Sequence, residues 1–407
     1  MSLWKSSKNV STTNMISQRQ LFLQHVAQTS PSPLALHIEK AEGCFLYDSD
    51  GKKYIDLISG ISVCNLGHNH PLVKEAIKNQ LDKYMHIMVY GELIESPQTQ
   101  LAKLLDELLP PQLNCTYFVN SGAEAVEGAM KLAKRFTGRN EIIAFKNAYH
   151  GSTQGALSLM SDEYFTSAFR PLLPGIKFID RQKPDLNLIS PQTACVILEL
   201  VKGEEGCKVL PQELVQSVAK RCRENGALLI IDECQTGIGR TGSLFAFEEY
   251  AIQPDVIILG KALGGGMPLG AFVSSKEIMS VLTHNPVLGH LTTFGGHPVS
   301  CAAAYASLKE IAESKIYLKA KEKEKLFRKM LQHEKILSIS GKGLLLAVEF
   351  DTAQSCKKYI DAFVQEGVFT DWFLFAPQSM RIAPPLNITD DIIQHSCEII
   401  LNCLDKK

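Results

Sequence analysis

Two ionisable residues stand where strongly apolar runs end. "DVIILGKALGGGMPLG" leads a strand-like stretch into Lys261 and a cluster of glycines, and the earlier run "ALLIIDE" closes on Asp232. A lysine at a strand end is most often a surface residue, and Lys261 taken alone reads that way. The second residue changes the reading. Successive strands of a parallel sheet deliver their carboxyl ends to one edge, where open α/β sheets bind ligands, so an acid and an amine are expected to meet there. A desolvated lysine keeps an unprotonated fraction that attacks a carbonyl to form a Schiff base. A buried aspartate holds a pyridinium nitrogen protonated through a charge-assisted hydrogen bond. Those are the two groups that pyridoxal phosphate requires.

That cofactor also needs a seat for its phosphate. "FVNSGAEAVEGAMKLAKRFTG" carries Val126, Met130, Ala133 and Phe136 at helical spacing, Ser121 as N-cap with Glu124 completing a capping box, and Gly138 at the C-terminal end. Gly122 permits close backbone approach, and the N–H groups of Gly122 and Ala123, with the Ser121 hydroxyl beside them, would face the dianion. An ordinary capped helix on a strand has the same pattern, so the segment gains weight only beside Lys261 and Asp232. Two other phosphate readings fail on spacing. Lys261 is followed by Ala262, where a phosphate loop needs Ser or Thr for magnesium, and Leu269 stands where the last glycine of a dinucleotide fingerprint would fall.

The elements that must position these residues follow from the apolar pattern. Between about residues 115 and 275, "TYFVN", "EIIAF", "TACVILEL", "ALLIID", "DVIILG" and "LGAFVSS" alternate with amphipathic segments. Continuous β-branched runs without polar alternation are expected of strands covered on both faces, hence an α/β fold with a mainly parallel sheet. The charged, helix-prone segment 307–335, followed by "GKGLLLAVEF" and "SMRIAPPL", points to a smaller α+β domain. "CFLYDSDGKKYIDLISG" reads as a hairpin turning at Asp50 and Gly51, too short to hold a core alone. The expected division is an N-terminal segment 1–65 joined to the small domain, a large domain 66–306, and the C-terminal small domain 307–407.

Composition limits the partners. A chain of 407 residues, 45% hydrophobic, buries a large core, and a net charge of −1 with scattered Lys and Arg gives no field for nucleic acid or an anionic membrane. The 11 cysteines form no C-x-x-C pair and no Cys/His spacing of a metal site, so no metal is expected and the thiols read as small hydrophobes in a reduced cytoplasm. The opening stretch "MSLWKSSKNVSTTNMISQRQ" lacks an apolar targeting core.

Five segments in this order, "NSGAEAVEGAMKLAKR", "AYHGST", "IIDECQTGIGRTG", "ILGKALGGGMPLGA" and "TTFGGHPVSCAAA", resemble the class III pyridoxal-phosphate aminotransferases, the group of the acetylornithine, ornithine and 4-aminobutyrate enzymes. The resemblance spans about residues 36 to 400. It implies the fold type I architecture of pyridoxal-phosphate enzymes, with Lys261 as the Schiff-base lysine and Asp232 as the partner of the ring nitrogen. It further implies Gln235 on the phenolic oxygen, Tyr149 stacked on the ring, Ser121, Gly122 and Ala123 around the phosphate, and Thr293 reaching that phosphate across a homodimer interface. Glu204 and Arg381 match a carboxylate and arginine that pair in glutamate-using members. There the arginine grips a substrate carboxylate, and the glutamate takes its place when the substrate has none.

Several positions depart from the family pattern. Ser152 stands where the acetylornithine and ornithine enzymes carry an arginine for a substrate carboxylate, which argues against those two substrates. Cys234 replaces a usual valine, Leu200 and Lys202 depart in "LELVKGEEG", and His297 replaces an asparagine. His150 reads as a supporting or surface histidine. The expected reaction is ping-pong transfer of an amino group, an ω-amino group in particular, from an amine or amino acid to a 2-oxo acid such as 2-oxoglutarate. An aminomutase or decarboxylase on the same scaffold is the alternative. Retained Lys261, Asp232 and Gln235 argue against a non-catalytic binding module.

Overall fold

The computed structural model describes residues 17–406. The opening stretch discussed above lies, up to residue 16, outside the described residues.

Seven strands form the main sheet: β1 (Cys115–Val119), β2 (Glu141–Phe145), β3 (Ile176–Ile179), β4 (Thr193–Leu198), β5 (Leu228–Asp232), β6 (Val256–Leu259) and β7 (Gly270–Ser274), in the order β1-β7-β6-β5-β4-β2-β3. The central pairs β2/β4, β4/β5 and β5/β6 are parallel, and β7 alone runs antiparallel to its neighbours β6 and β1. The uninterrupted apolar runs have a direct cause. In β6, Val256 and Ile258 belong to one core while Ile257 and Leu259 belong to the other, and β4 and β5 divide their residues in the same way. Neither face meets water, so the middle of each of these strands is apolar and polar residues stand only at the ends. Each fully buried Ile or Leu contributes about 1.5–3 kcal/mol relative to exposure.

Helix α1 (Gly122–Thr137) covers one face through Val126, Ala129, Met130 and Ala133. Phe136, expected on the same apolar stripe, is exposed. Gly138 ends the helix at φ +69°, the left-handed geometry its lack of a side chain favours.

A further core gathers Tyr54, Ile55 and Leu57 with Phe327, Phe350, Phe363 and Ile400. Strand Lys53–Asp56, the second arm of the N-terminal hairpin, pairs in parallel with Val368–Phe369, while Ser338–Lys342, Leu345–Glu349 and Ser379–Ile382 form an antiparallel sheet. Arg240 ties the segments together. It is fully buried and donates to the carbonyl of Leu344 at 3.0 Å, the hydroxyl of Ser59 at 3.3 Å, the carbonyl of Pro384 and the side chain of Asn65. Arg240→Ala strands these buried acceptors at about 1–3 kcal/mol each. We expect the urea unfolding midpoint to fall by the equivalent of about 3 kcal/mol or more.

Among the described residues, no helix is long and apolar enough to cross a membrane, and no cluster of His, Cys, Asp and Glu could hold a metal ion.

Candidate active site

The carboxyl ends of β5 and β6 carry Asp232 and, just beyond Gly260, Lys261. Lys261 has φ +47°, a left-handed conformation uncommon for a residue with a side chain, as the chain turns out of the strand into a short helical turn. It lines a cavity of about 420 Å³ together with Tyr149, Glu204 and Arg381. Gly60, Ile61, Asp371, Trp372 and Leu374 complete the wall.

Asp232 is buried, with Oδ2 2.7 Å from His150 Nδ1 and Oδ1 accepting the N–H of Cys234 at 3.0 Å. Burial by itself would push the carboxyl up, and His150 with the Cys234 amide outweighs it and holds Asp232 below the usual carboxylate range. His150 is therefore a buried partner of Asp232, not a surface residue. Its adjacency to Tyr149 in "AYHGST" is the only sequence sign of that role.

Cys234 joins the two ends of the site. Burial pushes its thiol well up, Asp232 adds to that, and Lys261 opposes it, so both charges act on the same sulfur. A methyl group on Gly122 would stand 2.8 Å from Cys234 Sγ, and one on Gly260 3.1 Å from it. Both glycines are bare because the thiol occupies the space between them. Gln235, over Gly203, keeps a buried side-chain oxygen without a partner.

The start of α1 departs in one detail from the expected capping box. Ser121 Oγ accepts the N–H of Glu124 at 3.2 Å, as expected, but the Glu124 carboxylate reaches past Ser121 to the backbone N–H and side-chain amide of Asn120, both at 2.8 Å. Asn120 continues to Thr292 Oγ1 at 2.8 Å. The first helical N–H groups, those of Gly122 and Ala123, have no acceptor within the helix and lie at the positive end of its dipole.

Tyr149 is held at both ends: its N–H donates to Glu199 Oε2 at 3.1 Å, and its hydroxyl is 3.0 Å from Ser152 Oγ. Glu199, buried at the end of β4, also accepts the N–H of Gly203 at 3.2 Å. Lys202, one of the departures, is a buried strut bonded to Glu205 at 2.5 Å and to the carbonyl of Lys146.

Glu204 and Arg381 are paired, Nη2 donating to the two carboxylate oxygens at 3.0 and 3.2 Å. Burial works against the arginine's charge, and Glu204 with Asp371 overcomes it, so the Arg381 pKa is raised. Thr293 lies elsewhere, exposed in an apolar groove of about 440 Å³ with His86, Met88, Val89, Tyr90, Glu92, Leu288 and Leu291. His297 has a local explanation: its Nδ1 caps helix Pro298–Ser314 by accepting the N–H of Val299 at 3.3 Å, work that asparagine also does.

Sequence reasoning missed the turn at Ser59–Ser62, whose four residues all have positive φ, and missed Asp371. Gly60 is the one local mark of the turn, and no local propensity marks Asp371.

An amine and a carboxylate–arginine pair round one cavity, with a buried ionised acid at the neighbouring strand end, suit chemistry on an amino group. Comparison with known proteins points the same way. Residues 26–404 match the family Aminotransferase class-III. The ornithine aminotransferase of Toxoplasma gondii is 28% identical, with 96% of this chain and 95% of that one covered and a TM-score of 0.87. The adenosylmethionine-8-amino-7-oxononanoate aminotransferase of Methanocaldococcus jannaschii is 29% identical over 95% of this chain and 98% of that one, with a TM-score of 0.86. An (S)-enantioselective omega-transaminase of Thermomicrobium roseum is 27% identical over 97% and 99%, also at 0.86. Family and neighbours support transamination and not the aminomutase or decarboxylase alternative. The chain belongs to the class III aminotransferases, pyridoxal-phosphate enzymes of fold type I that transfer amino groups.

Proposed function

We propose that this aminotransferase moves an ω-amino group from an amine or amino acid to a 2-oxo acid such as 2-oxoglutarate, in alternating half-reactions. The observation that carries the reading is the shared cavity: Lys261 and the Glu204–Arg381 pair open onto one space, so a substrate gripped at one place is reactive at the other.

The residues fit the cofactor. An unpartnered Gln235 oxygen, an ionised Asp232 and the open N–H groups of Gly122 and Ala123 supply partners for its oxygen, its ring nitrogen and its phosphate. In this reading Lys261 holds the aldehyde, Asp232 the ring nitrogen, Gln235 the phenolic oxygen, and Ser121, Gly122 and Ala123 the phosphate, with Tyr149 against the ring. Bound pyridoxal phosphate supplies an electron sink that acidifies the amine-bearing carbon. The Lys261 amine is the base for that carbon's proton, and Asp232 keeps its negative charge because His150 and the Cys234 amide stabilise it.

Glu204 sets which substrates enter. Paired with Arg381 it neutralises the buried guanidinium for a donor that brings no carboxylate, and displaced from it the arginine is free for the oxo acid. Ser152, a neutral hydroxyl tied to Tyr149, offers no second anionic anchor. Glu204→Gln is accordingly expected to lower KM for 2-oxoglutarate several-fold and to slow carboxylate-free amines by about tenfold, because truncating one partner of a buried pair leaves the other uncompensated. Stopped-flow half-reactions with a panel of amines, 2-oxoglutarate and pyruvate test this. Equal effects on donor and acceptor would remove Glu204 from the selecting role.

We read the working unit as a homodimer in which Thr293 reaches the partner's cofactor phosphate. Supporting this, Met88, Leu288 and Leu291, with the adjacent Phe294, expose an apolar surface around Thr293. A cytoplasmic location fits the 11 free cysteines, most of them buried.

A further inference from the structure

Arg381 is held by two carboxylates, and they hold it differently. Nη2 meets Glu204, while Nε donates to Asp371 Oδ1 at 2.9 Å. Nη1 is buried and has no partner. A guanidinium with a buried unpaired donor is unsatisfied as it stands, and its free edge offers a second point for a planar anion.

The two acids also differ in how they are attached. Asp371 and Arg381 lie on facing segments of one hairpin: the Arg381 N–H donates to the Asp371 carbonyl at 2.9 Å, Thr370 Oγ1 donates to the Arg381 carbonyl at 2.6 Å, and Trp372 bridges to Met380. The guanidinium rests over the Phe373 ring, 4.3 Å from its centre. Glu204 comes from a distant part of the chain, in the loop after strand Val201–Lys202, and meets that hairpin through the N–H groups of Leu374 and Phe375. Asp371 therefore shares a hairpin with the arginine, whereas Glu204 reaches that hairpin from a separate segment.

We propose that Asp371 is a positioning residue for the acceptor: by holding Nε it keeps Arg381 in place when Glu204 gives way, so that Nη1 and Nη2 together receive the substrate carboxylate. The inference rests on Arg381 being the acceptor's anchor. It assigns movement to Glu204 and stillness to Arg381. An anchored fork loses little conformational freedom on binding, whereas an arginine released from all its partners would have to be ordered again by each oxo acid.

The test uses holoenzyme and separates binding from turnover. Affinity for glutarate, an unreactive dicarboxylate, is measured by calorimetry, and each half-reaction is followed alone by absorbance. Asp371→Ala is expected to weaken glutarate about tenfold and to raise KM for 2-oxoglutarate by a similar factor, a clearly larger loss than in the half-reaction of a carboxylate-free amine. Asp371→Asn, whose amide oxygen still accepts the Nε–H, should restore most of the loss. In an Arg381→Lys background, which has no Nε edge to hold, Asp371→Ala should add nothing further. Asp371→Ser serves if the alanine variant does not fold. Unchanged glutarate affinity in Asp371→Ala overturns the proposal, as does an equal loss in both half-reactions that asparagine fails to restore. If Arg381→Ala leaves glutarate affinity unchanged, the acceptor reading falls and this proposal with it. If Arg381→Ala weakens glutarate and Asp371→Ala does not, the acceptor reading stands and only the role of Asp371 is lost.

Discussion

Lys261→Ala is expected to lower kcat by about 10⁴-fold or more, because on the proposed roles one substitution removes both the covalent hold on the cofactor and the base that moves the substrate proton. General acid–base catalysis alone accounts for about 10²–10⁴-fold. Among the described residues, no second lysine lines the cavity. Lys202 is the nearest buried amine in sequence terms to the site's acids, but its nitrogen is committed to Glu205 and the Lys146 carbonyl, and it does not line the cavity. Three measurements check the claim: single-turnover rate, mass spectrometry after borohydride reduction, and rescue by methylamine. The reduced wild type should carry the cofactor on Lys261, and the variant should carry it nowhere. Partial rescue by the small amine would tie the missing activity to the nitrogen itself and not to a disturbed fold. Activity within tenfold of wild type would move the base to another residue.

The sheet was readable from sequence because both its faces are covered. A strand such as Val256–Leu259, sending alternate residues into two dry cores, can be written only in apolar letters, and the polar residue that follows is conspicuous by contrast. That contrast exposed Lys261 and Asp232. Capping at Ser121 was readable for a similar reason, since a helix start needs an oxygen at one position. Its details were not: Glu124 has two N–H groups of Asn120 in range, and only the three-dimensional course of the chain decides which donor it takes. Phe136 fits the apolar stripe by spacing yet is exposed near the helix end.

What the sequence hid are contacts made across turns or between distant segments. His150 and Asp232 meet from segments far apart in the chain, and the adjacency of His150 to Tyr149 is the only local sign of it. Asp371 faces Arg381 across a hairpin whose pairing rests on backbone hydrogen bonds. Ser59, Ile61 and Ser62 adopt left-handed geometry without being glycine, so Gly60 alone of the four residues announces the turn. Asp56 fixes that turn by accepting the N–H groups of Ile58 and Ser59 at 2.8 and 2.9 Å, which lets Ile61 line the cavity.

The second large effect is expected at Asp232. Asp232→Asn keeps the shape and removes the charge, so a loss of about 10³-fold in kcat would measure the charge itself and not the packing. The geometry adds a pH signature. The carboxyl's folded pKa is lowered, so it stays ionised through neutral pH and protonates only as the pH falls through that depressed value. Burial acts in the opposite direction and is the largest single influence, with His150 the main opposition. His150→Ala should therefore let burial prevail and raise the Asp232 pKa. The acid limb of kcat/KM should then appear at higher pH in His150→Ala than in wild type, with activity near pH 8 less affected than activity near pH 6. A structural role for His150 would lower the whole profile evenly. An even loss would show that the charge on Asp232 is maintained without the histidine, leaving the Cys234 amide at 3.0 Å as its remaining support.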